Sequence, residues 1–234
     1  MSWDWQVFFQ DNGGGQTYLN WMMSAWGWTL LVSGLSLVVA LVVGSLVGIL
    51  RTTPVKAFVW FGNAWTELFR NIPLLVQIFL WYHVVPSMFR SLQQIPDFVS
   101  VVVALGFFTS ARISEQVRAG IQALPRGQRY AGLALGLTLP QTYRFVILPM
   151  AFRIVIPPLT SESMNIIKNS SVAFAVSVTE LTFFAMQAQE ETARGVEIYL
   201  AVTFLYFISA FAVNRVAAVI EKRTQVPGMI GGHK

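Results

Sequence analysis

Residues 124–149, LPRGQRYAGLALGLTLPQTYRFVILP, hold one short helix between two breaks. Pro125 cannot continue a helix that arrives from upstream. Gln128–Leu135 then places apolar residues at Ala131, Leu133, Ala134 and Leu135. Gly136 suits the left-handed residue that commonly closes a helix. Thr138 and Gln141 stand at the S/T-x-x-E/Q spacing of a capping box, so a new helix is predicted to start there. The segment is too short to cross a bilayer, yet much of it is apolar. Two readings stand about level on periodicity: a helix lying on lipid headgroups, or one that docks into another protein.

Working outward, the flanking sequence is that of a membrane protein. Of 234 residues, 55% are hydrophobic and 12% are charged, about half the roughly 25% charge of soluble domains. This excludes an ordinary soluble enzyme, a disordered chain and a disulfide-stapled secreted fold. A bilayer-crossing helix needs about 20 mainly apolar residues. No charge occurs from Asn12 to Leu50, and the strongest apolar run there, Trp28–Leu50, is predicted as the first span. It stops at Arg51-Thr52-Thr53-Pro54. A second stretch runs from there to about Met88, longer than one span needs and weakened at Pro73. Further spans are predicted near residues 98–123, 142–171 and 197–220. The expected fold class is therefore an all-α integral membrane protein with five transmembrane helices. Residues 1–27 read as a periplasmic, interfacial segment with Trp3, Trp5, Phe8 and Phe9 at headgroup level rather than as a signal peptide, because no basic residue precedes the apolar run. Residues 28–220 form the membrane domain, with a cytoplasmic loop at about 124–141, and 221–234 a cytoplasmic tail.

Five spans place the ends of the chain on opposite sides. With the N-terminus outside, the inner side receives Arg51, Lys56, Arg118, Arg126, Arg129, Arg144, Arg215, Lys222, Arg223 and Lys234, and the outer side only Arg90 and Arg194. The positive-inside rule favours that orientation. It also accounts for the +5 net charge without a nucleic-acid partner.

Ionised groups inside apolar segments cost about 2.5–3.5 kcal/mol on insertion scales, so they tend to be paired or functional. Glu67 and Arg70, and Glu115 and Arg118, are spaced to pair within their helices. Arg112 lies roughly 21 Å into the third span at the helical rise, past mid-membrane. It is held structurally by Glu115, or else it faces a pathway. No G-x-x-x-x-G-K-[S/T] phosphate loop occurs, so energy from ATP would have to arrive through a partner. No cysteine is present, and His83 and His233 read as packing and solvated residues. No metal, cofactor or catalytic group is expected.

The 124–149 stretch resembles the EAA loop of ABC-importer permeases, E-A-A-x3-G-x9-I-x-L-P. Tyr130, Ala131 and Gly132 fall on its first three positions, then Gly136, Val146, Leu148 and Pro149. Tyr130 stands in place of the glutamate, Gly132 of the second alanine and Val146 of the isoleucine. More of the chain resembles the polar amino-acid branch of these permeases. The stretches concerned are Glu67-Leu-Phe-Arg70-Asn71-Ile-Pro73-Leu-Leu-Val-Gln77, Arg126-Gly127-Gln128, Pro157-Pro158-Leu-Thr160 and Lys168-Asn169-Ser170-Ser171. Glu115-Gln116-Val-Arg118, Leu137-Thr-Leu-Pro140-Gln-Thr-Tyr143-Arg144 and Val226-Pro-Gly228 with Gly231-Gly232 look like permeases that import glutamate and aspartate.

The resemblance implies a MetI-like permease fold in a bacterial inner membrane. It also implies a second, homologous permease subunit in a heterodimer, two cytoplasmic ATP-binding subunits and a periplasmic amino-acid-binding protein. On that reading Arg126, Gly127, Arg129, Tyr130, Ala131, Gly132, Leu135 and Gly136 form the coupling helix that meets the ATPase. The pathway residues are Arg112 with Thr109, Ser110, Glu67, Arg70, Ser163, Asn165, Lys168 and Asn169. Related permeases commonly carry tyrosine where Arg112 stands. A guanidinium there fits an anionic substrate, because it can grip a carboxylate with two parallel bonds. The alternatives are a permease of the same fold for another polar amino acid, and a non-transporting scaffold or channel.

Overall fold

With no charged side chain to solvate between Tyr18 and Leu50, one helix takes all 33 residues (α1). Thr17 Oγ1 accepts from the Asn20 N–H at 3.3 Å and so starts the helix, upstream of the expected Trp28. The computed structural model describes residues 3–224, so the Val226–Gly232 motif, His233 and Lys234 lie outside the described residues.

The second apolar stretch is broken. α2 (Lys56–Asn71) and α3 (Leu74–Met88) meet at a 105° bend. Pro73 lacks an N–H and pushes Ile72 out of the helical region, which ends α2 there. Then come α4 (Asp97–Gln122), α5 (Arg126–Ala134), α6 (Leu139–Val176), α7 (Leu181–Thr192) and α8 (Gly195–Thr224). α1, α4, α6 and α8 are long and apolar enough to cross a bilayer, and counting the bent α2–α3 pair as one span gives up to five. α7 was not expected from the sequence. Among the described residues regular structure is helical apart from one antiparallel bridge, Asp11 to Thr17.

The chain forms two compact units, and α1, α4, α6 and α8 each contribute a segment to both. The first unit comprises Met1–Val39, Ile72–Gly106 and Met164–Ala212. There Val7 and Phe8 pack with Tyr18 and Met22 of α1, Phe184 and Ala188 of α7, and Ile198 and Val202 of α8. Phe8 is therefore a core residue and not an interfacial one, whereas Trp3, Trp5 and Phe9 are exposed. The segment is held by polar contacts too. The Asp4 N–H donates to Glu197 Oε1 at 2.9 Å, and the Asp4 carboxylate pairs with Arg194 at 3.4 Å. Buried Glu180 caps α7 by accepting from the Thr182 and Phe183 N–H groups, and it also accepts the Tyr206 hydroxyl at 2.6 Å. Burial pushes its carboxyl above the usual carboxylate range.

The second unit comprises Ala40–Asn71, Phe107–Ser163 and Val213–Lys234. Its α1 and α4 segments pack backbone to backbone. A Cβ on Gly44 would stand 2.7 Å from Ile113 Cβ and from the Ser110 carbonyl oxygen. A Cβ on Gly48 would stand 2.8 Å from Val117 Cβ. Gly44-x-x-x-Gly48 is thus the small-residue spacing that lets membrane helices touch. Charge divides unequally between the units. The second holds thirteen of the sixteen Lys and Arg residues, and the first seven of the eleven Asp and Glu.

Candidate functional site

In the second unit α4 turns a partly exposed stripe outward through Phe108, Arg112, Glu115 and Gln116, while Ala111, Ile113 and Ser114 are buried. Residues at i, i+4 and i+7 share one face of a helix. Arg112 Nη1 lies 3.6 Å from Glu162 Oε2 on α6, with the Arg112 side chain 35% exposed and that of Glu162 only 8%. Gln116 Nε2 donates to Glu162 Oε1 at 3.1 Å. The Arg112 Cζ lies 4.7 Å from the centre of the Phe108 ring, a cation–π contact. Glu162 Oε2 has the ion pair but no hydrogen bond.

Glu115 does not claim Arg112, nor does it pair with Arg118. It is taken by Arg51, whose Nη2 donates to Glu115 Oε1 at 2.9 Å, and by Arg70 at 3.6 Å. The expected Glu67–Arg70 pair is likewise absent, and both side chains are exposed. Arg51 outcompetes the local partners because it is buried, and a buried guanidinium without acceptors is far costlier than an exposed one. Its Nε donates to Asn63 Oδ1 at 2.9 Å and its Nη1 to Ser114 Oγ at 3.1 Å. Arg51 therefore ties the end of α1 to α2 and α4.

Thr109 and Ser110 do not share the open stripe. Both are buried, and Ser110 is roughly 200° around the helix from Arg112. The Ser110 hydroxyl donates to the Phe107 carbonyl and accepts from Trp65 Nε1 at 3.0 Å, so it fastens α2 to α4. On α6, the Ser163 hydroxyl is turned back onto the Leu159 carbonyl at 2.9 Å. Asn165 and Asn169 are half-buried and Lys168 exposed, all three within the first unit.

The short helix is α5. Pro125 precedes it at φ −55° and ψ 130°, an extended backbone that ends the run from α4. The helix closes as a Schellman turn: the Gly136 N–H donates to the Leu133 carbonyl at 3.0 Å and the Leu137 N–H to the Gly132 carbonyl at 3.2 Å. Gly136 takes φ +81°, as its type allows. The Thr138 N–H then donates to Gln141 Oε1 at 2.8 Å, the reach-back bond of a capping box that opens α6. Gly132 is buried against Thr142. Gly127, Tyr130, Ala131, Leu133 and Leu135 are exposed and Arg129 is half-buried, while Arg126 opens the helix. Tyr130 is 66% and Leu135 82% exposed. Tyr130 on this helix of nine residues and Leu135 at its C-cap are thus large side chains that nothing in the described chain covers.

Residues 40–226 match the family described as the inner membrane component of binding-protein-dependent transport systems. The chain belongs to that family. The permease is 40% identical to the glutamate/aspartate import permease protein GltJ of Escherichia coli K12, over 99% of each chain. It is 36% identical to the probable glutamine ABC transporter permease protein GlnM of Bacillus subtilis, over 84% of this chain and 90% of that one. Among solved structures, an amino acid ABC transporter with histidines covers 95% of the permease and all of that chain, at TM-score 0.79 and 28% identity. The methionine transporter MetNI shares the fold at TM-score 0.78 and 18% identity, covering 93% of the permease and all of that chain. The MetI-like fold is thus established. The permease is a membrane subunit of an amino-acid ABC importer and not an enzyme; ATP hydrolysis lies in separate subunits.

Two residues that matter to the site were not singled out from the sequence. Glu162 was legible only as a charge in an apolar span, and the partner that such a charge requires sits 50 positions away. Arg51 looked like a topology marker at the end of α1. The Gly44-x-x-x-Gly48 spacing was a readable sign that α4 would press close and bury whatever followed.

Proposed function

We propose that this chain is the transmembrane permease through which an acidic amino acid, glutamate or aspartate, enters the cell. The observation that carries the reading is the Arg112–Glu162 pair. A half-exposed guanidinium is held on a membrane helix by a buried carboxylate whose Oε2 accepts no hydrogen bond. A substrate carboxylate competes with Glu162 for Arg112, which offsets the cost of an isolated anion in a low-dielectric passage. Full-length similarity to GltJ supports the substrate class. Similarity to permeases named for glutamine and for L-cystine supports a second reading, the same machine for another amino acid.

In this proposal the chain works beside a second permease subunit. It is also 29% identical to GltK of Escherichia coli, over 84% of this chain and 90% of that one. A periplasmic binding protein delivers the substrate and two ATPase subunits receive α5. In the second unit the pathway involves Arg112, Glu162 and Arg70, with Glu67 and Ser163 as further polar positions, buried Thr109 packed beside Arg112 and Ser110 behind it; in the first unit Asn165, Lys168 and Asn169 are its polar positions. Vesicle uptake with saturating binding protein tests this. Glutamate uptake is expected to fall from wild type to Arg112→Lys to Arg112→Gln, because lysine keeps the charge but loses the planar fork. The loss should be greater for glutamate than for glutamine. Wild-type glutamate rates in Arg112→Gln would assign selectivity to the binding protein alone.

The proposed topology has the N-terminus periplasmic and the C-terminus cytoplasmic in a bacterial inner membrane. The concentration of basic residues in the second unit supports it. Reporter fusions after Asp97 and after Arg223 should read opposite sides, and agreement between them would reject the topology.

A further inference from the structure

Two cavities of the second unit flank Tyr143 and differ sharply in chemistry. The first, about 400 Å³, is lined by Arg51, Thr52, Gln122, Gln128, Arg129 and Tyr143 among others. The second, about 410 Å³, is lined by Ile49, Val55, Phe58, Leu139, Tyr143 and Leu148, with Arg144 at the same groove. Tyr143 belongs to both, and neighbouring residues divide between them: Thr52 faces the first and Thr53 the second, Ile147 the first and Leu148 the second. No carboxylate lines either cavity among the described residues. The Tyr143 hydroxyl donates to the Thr52 carbonyl at 2.7 Å, so the wall between them is fixed. A π-helical turn at Tyr143–Ile147 widens α6 at this point.

The polar cavity has donors to spare. Asn63, Ser114 and Glu115 take three of the Arg51 guanidinium's five N–H groups. Arg129 adds a second cation, and the first turn of α5 begins at the cavity wall with Pro125. Gln128 Oε1 is buried with no hydrogen-bond partner, so it lacks a donor that a hydroxyl would supply. An anionic group bearing hydroxyls satisfies the arginines and this amide together, whereas an ammonium headgroup is repelled by the arginines. The adjoining groove is apolar and asks for hydrocarbon.

The geometry points to a bound anionic glycerophospholipid: its phosphate lies between Arg51 and Arg129, its headgroup hydroxyl at Gln128, and an acyl chain in the Ile49–Phe58–Leu148 groove. Basic pockets between membrane helices on the cytoplasmic side take anionic headgroups in this way. This lipid would join the end of α1 to the start of α5 and is separate from the pathway around Arg112.

Native mass spectrometry of the full chain, purified from membranes and offered phosphatidylglycerol or phosphatidylcholine, tests the site. Phosphatidylglycerol should be retained in preference, at one per chain. Arg129→Gln should weaken retention about tenfold, the scale of one lost charge-assisted contact. Phe58→Asp, which puts charge in the apolar groove while leaving both arginines, should also reduce it. Melting of the wild type with added glycerol phosphate or inorganic phosphate supplies an independent readout. Protection by either soluble ion without lipid retention would overturn the lipid assignment. Equal retention of the two lipids, or retention unchanged in Arg129→Gln, would overturn it too.

Discussion

Arg51→Leu is expected to destabilise the protein by about 3 kcal/mol, enough to cost most of the folded yield from membranes. Removing one partner of a buried ion pair typically costs 3–5 kcal/mol. The lower end applies because the Glu115 side chain is 38% exposed and water screens the charge left behind. Asn63 Oδ1 also loses its donor, and Ser114 Oγ keeps only its contact with Thr66. Arg51→Lys should fall between, since an ammonium cannot span three acceptors in one plane. Arg51→Leu combined with Glu115→Leu should recover much of the loss, because well-packed apolar replacements of both partners are often close to neutral. Melting of the detergent-solubilised protein measures all three. A melting temperature in Arg51→Leu equal to wild type would mean the network holds nothing together.

Gly136→Val is expected to insert normally and to lose transport. A Cβ at Gly136 meets nothing within 4 Å, so the added carbon finds open space beside it. The cost is the backbone: a left-handed residue with a side chain pays about 1–2 kcal/mol, and a β-branched one is a genuine outlier there. Relief comes from unwinding the Schellman turn, which swings Leu135 and Tyr130 out of place. Gly136→Asn should retain most transport, because asparagine visits that conformation with little penalty. Substrate-stimulated ATP hydrolysis in the reconstituted importer is the readout. Full stimulation in Gly136→Val would remove α5 from the coupling path.

The α5 region was readable because everything in it is local. Pro125, Gly136, Thr138 and Gln141 act on backbone within four residues of themselves, so their meaning survives without tertiary information. The break at Pro73 was readable for the same reason. The ion pairs were not. Spacing of three within a helix suggested Glu67 with Arg70 and Glu115 with Arg118, but such pairs are worth only about 0.2–0.5 kcal/mol. The demand of buried Arg51 outweighs that, and the competition depends on which helices meet. Thr109 and Ser110 were placed on the pathway by adjacence to Arg112, yet Ser110 points roughly 200° away and Thr109, on the near side, is buried by its neighbours. α7 escaped notice although Leu181, Phe184, Ala185 and Ala188 recur at the helical period; at 12 residues it is too short to register as a span.

The broken second stretch bears on how the protein is made. α2 has 16 residues and measures about 24 Å, short of the roughly 30 Å of hydrocarbon it would have to cross. It also carries Lys56, Glu67 and Arg70. It does not partition into lipid by itself. Asn63 holds it to Arg51 at the end of α1, but three further contacts, Trp65 to Ser110, Thr66 to Ser114 and Arg70 to Glu115, are with α4. Ser110 follows Trp65 by 45 residues, roughly 2–9 s of synthesis at 5–20 residues per second. For that interval α2 is a helix in waiting, sheltered by the insertion machinery or lying at the bilayer surface. It gains its full set of contacts after α4 has left the ribosome. Order of integration in this permease therefore departs from order of translation.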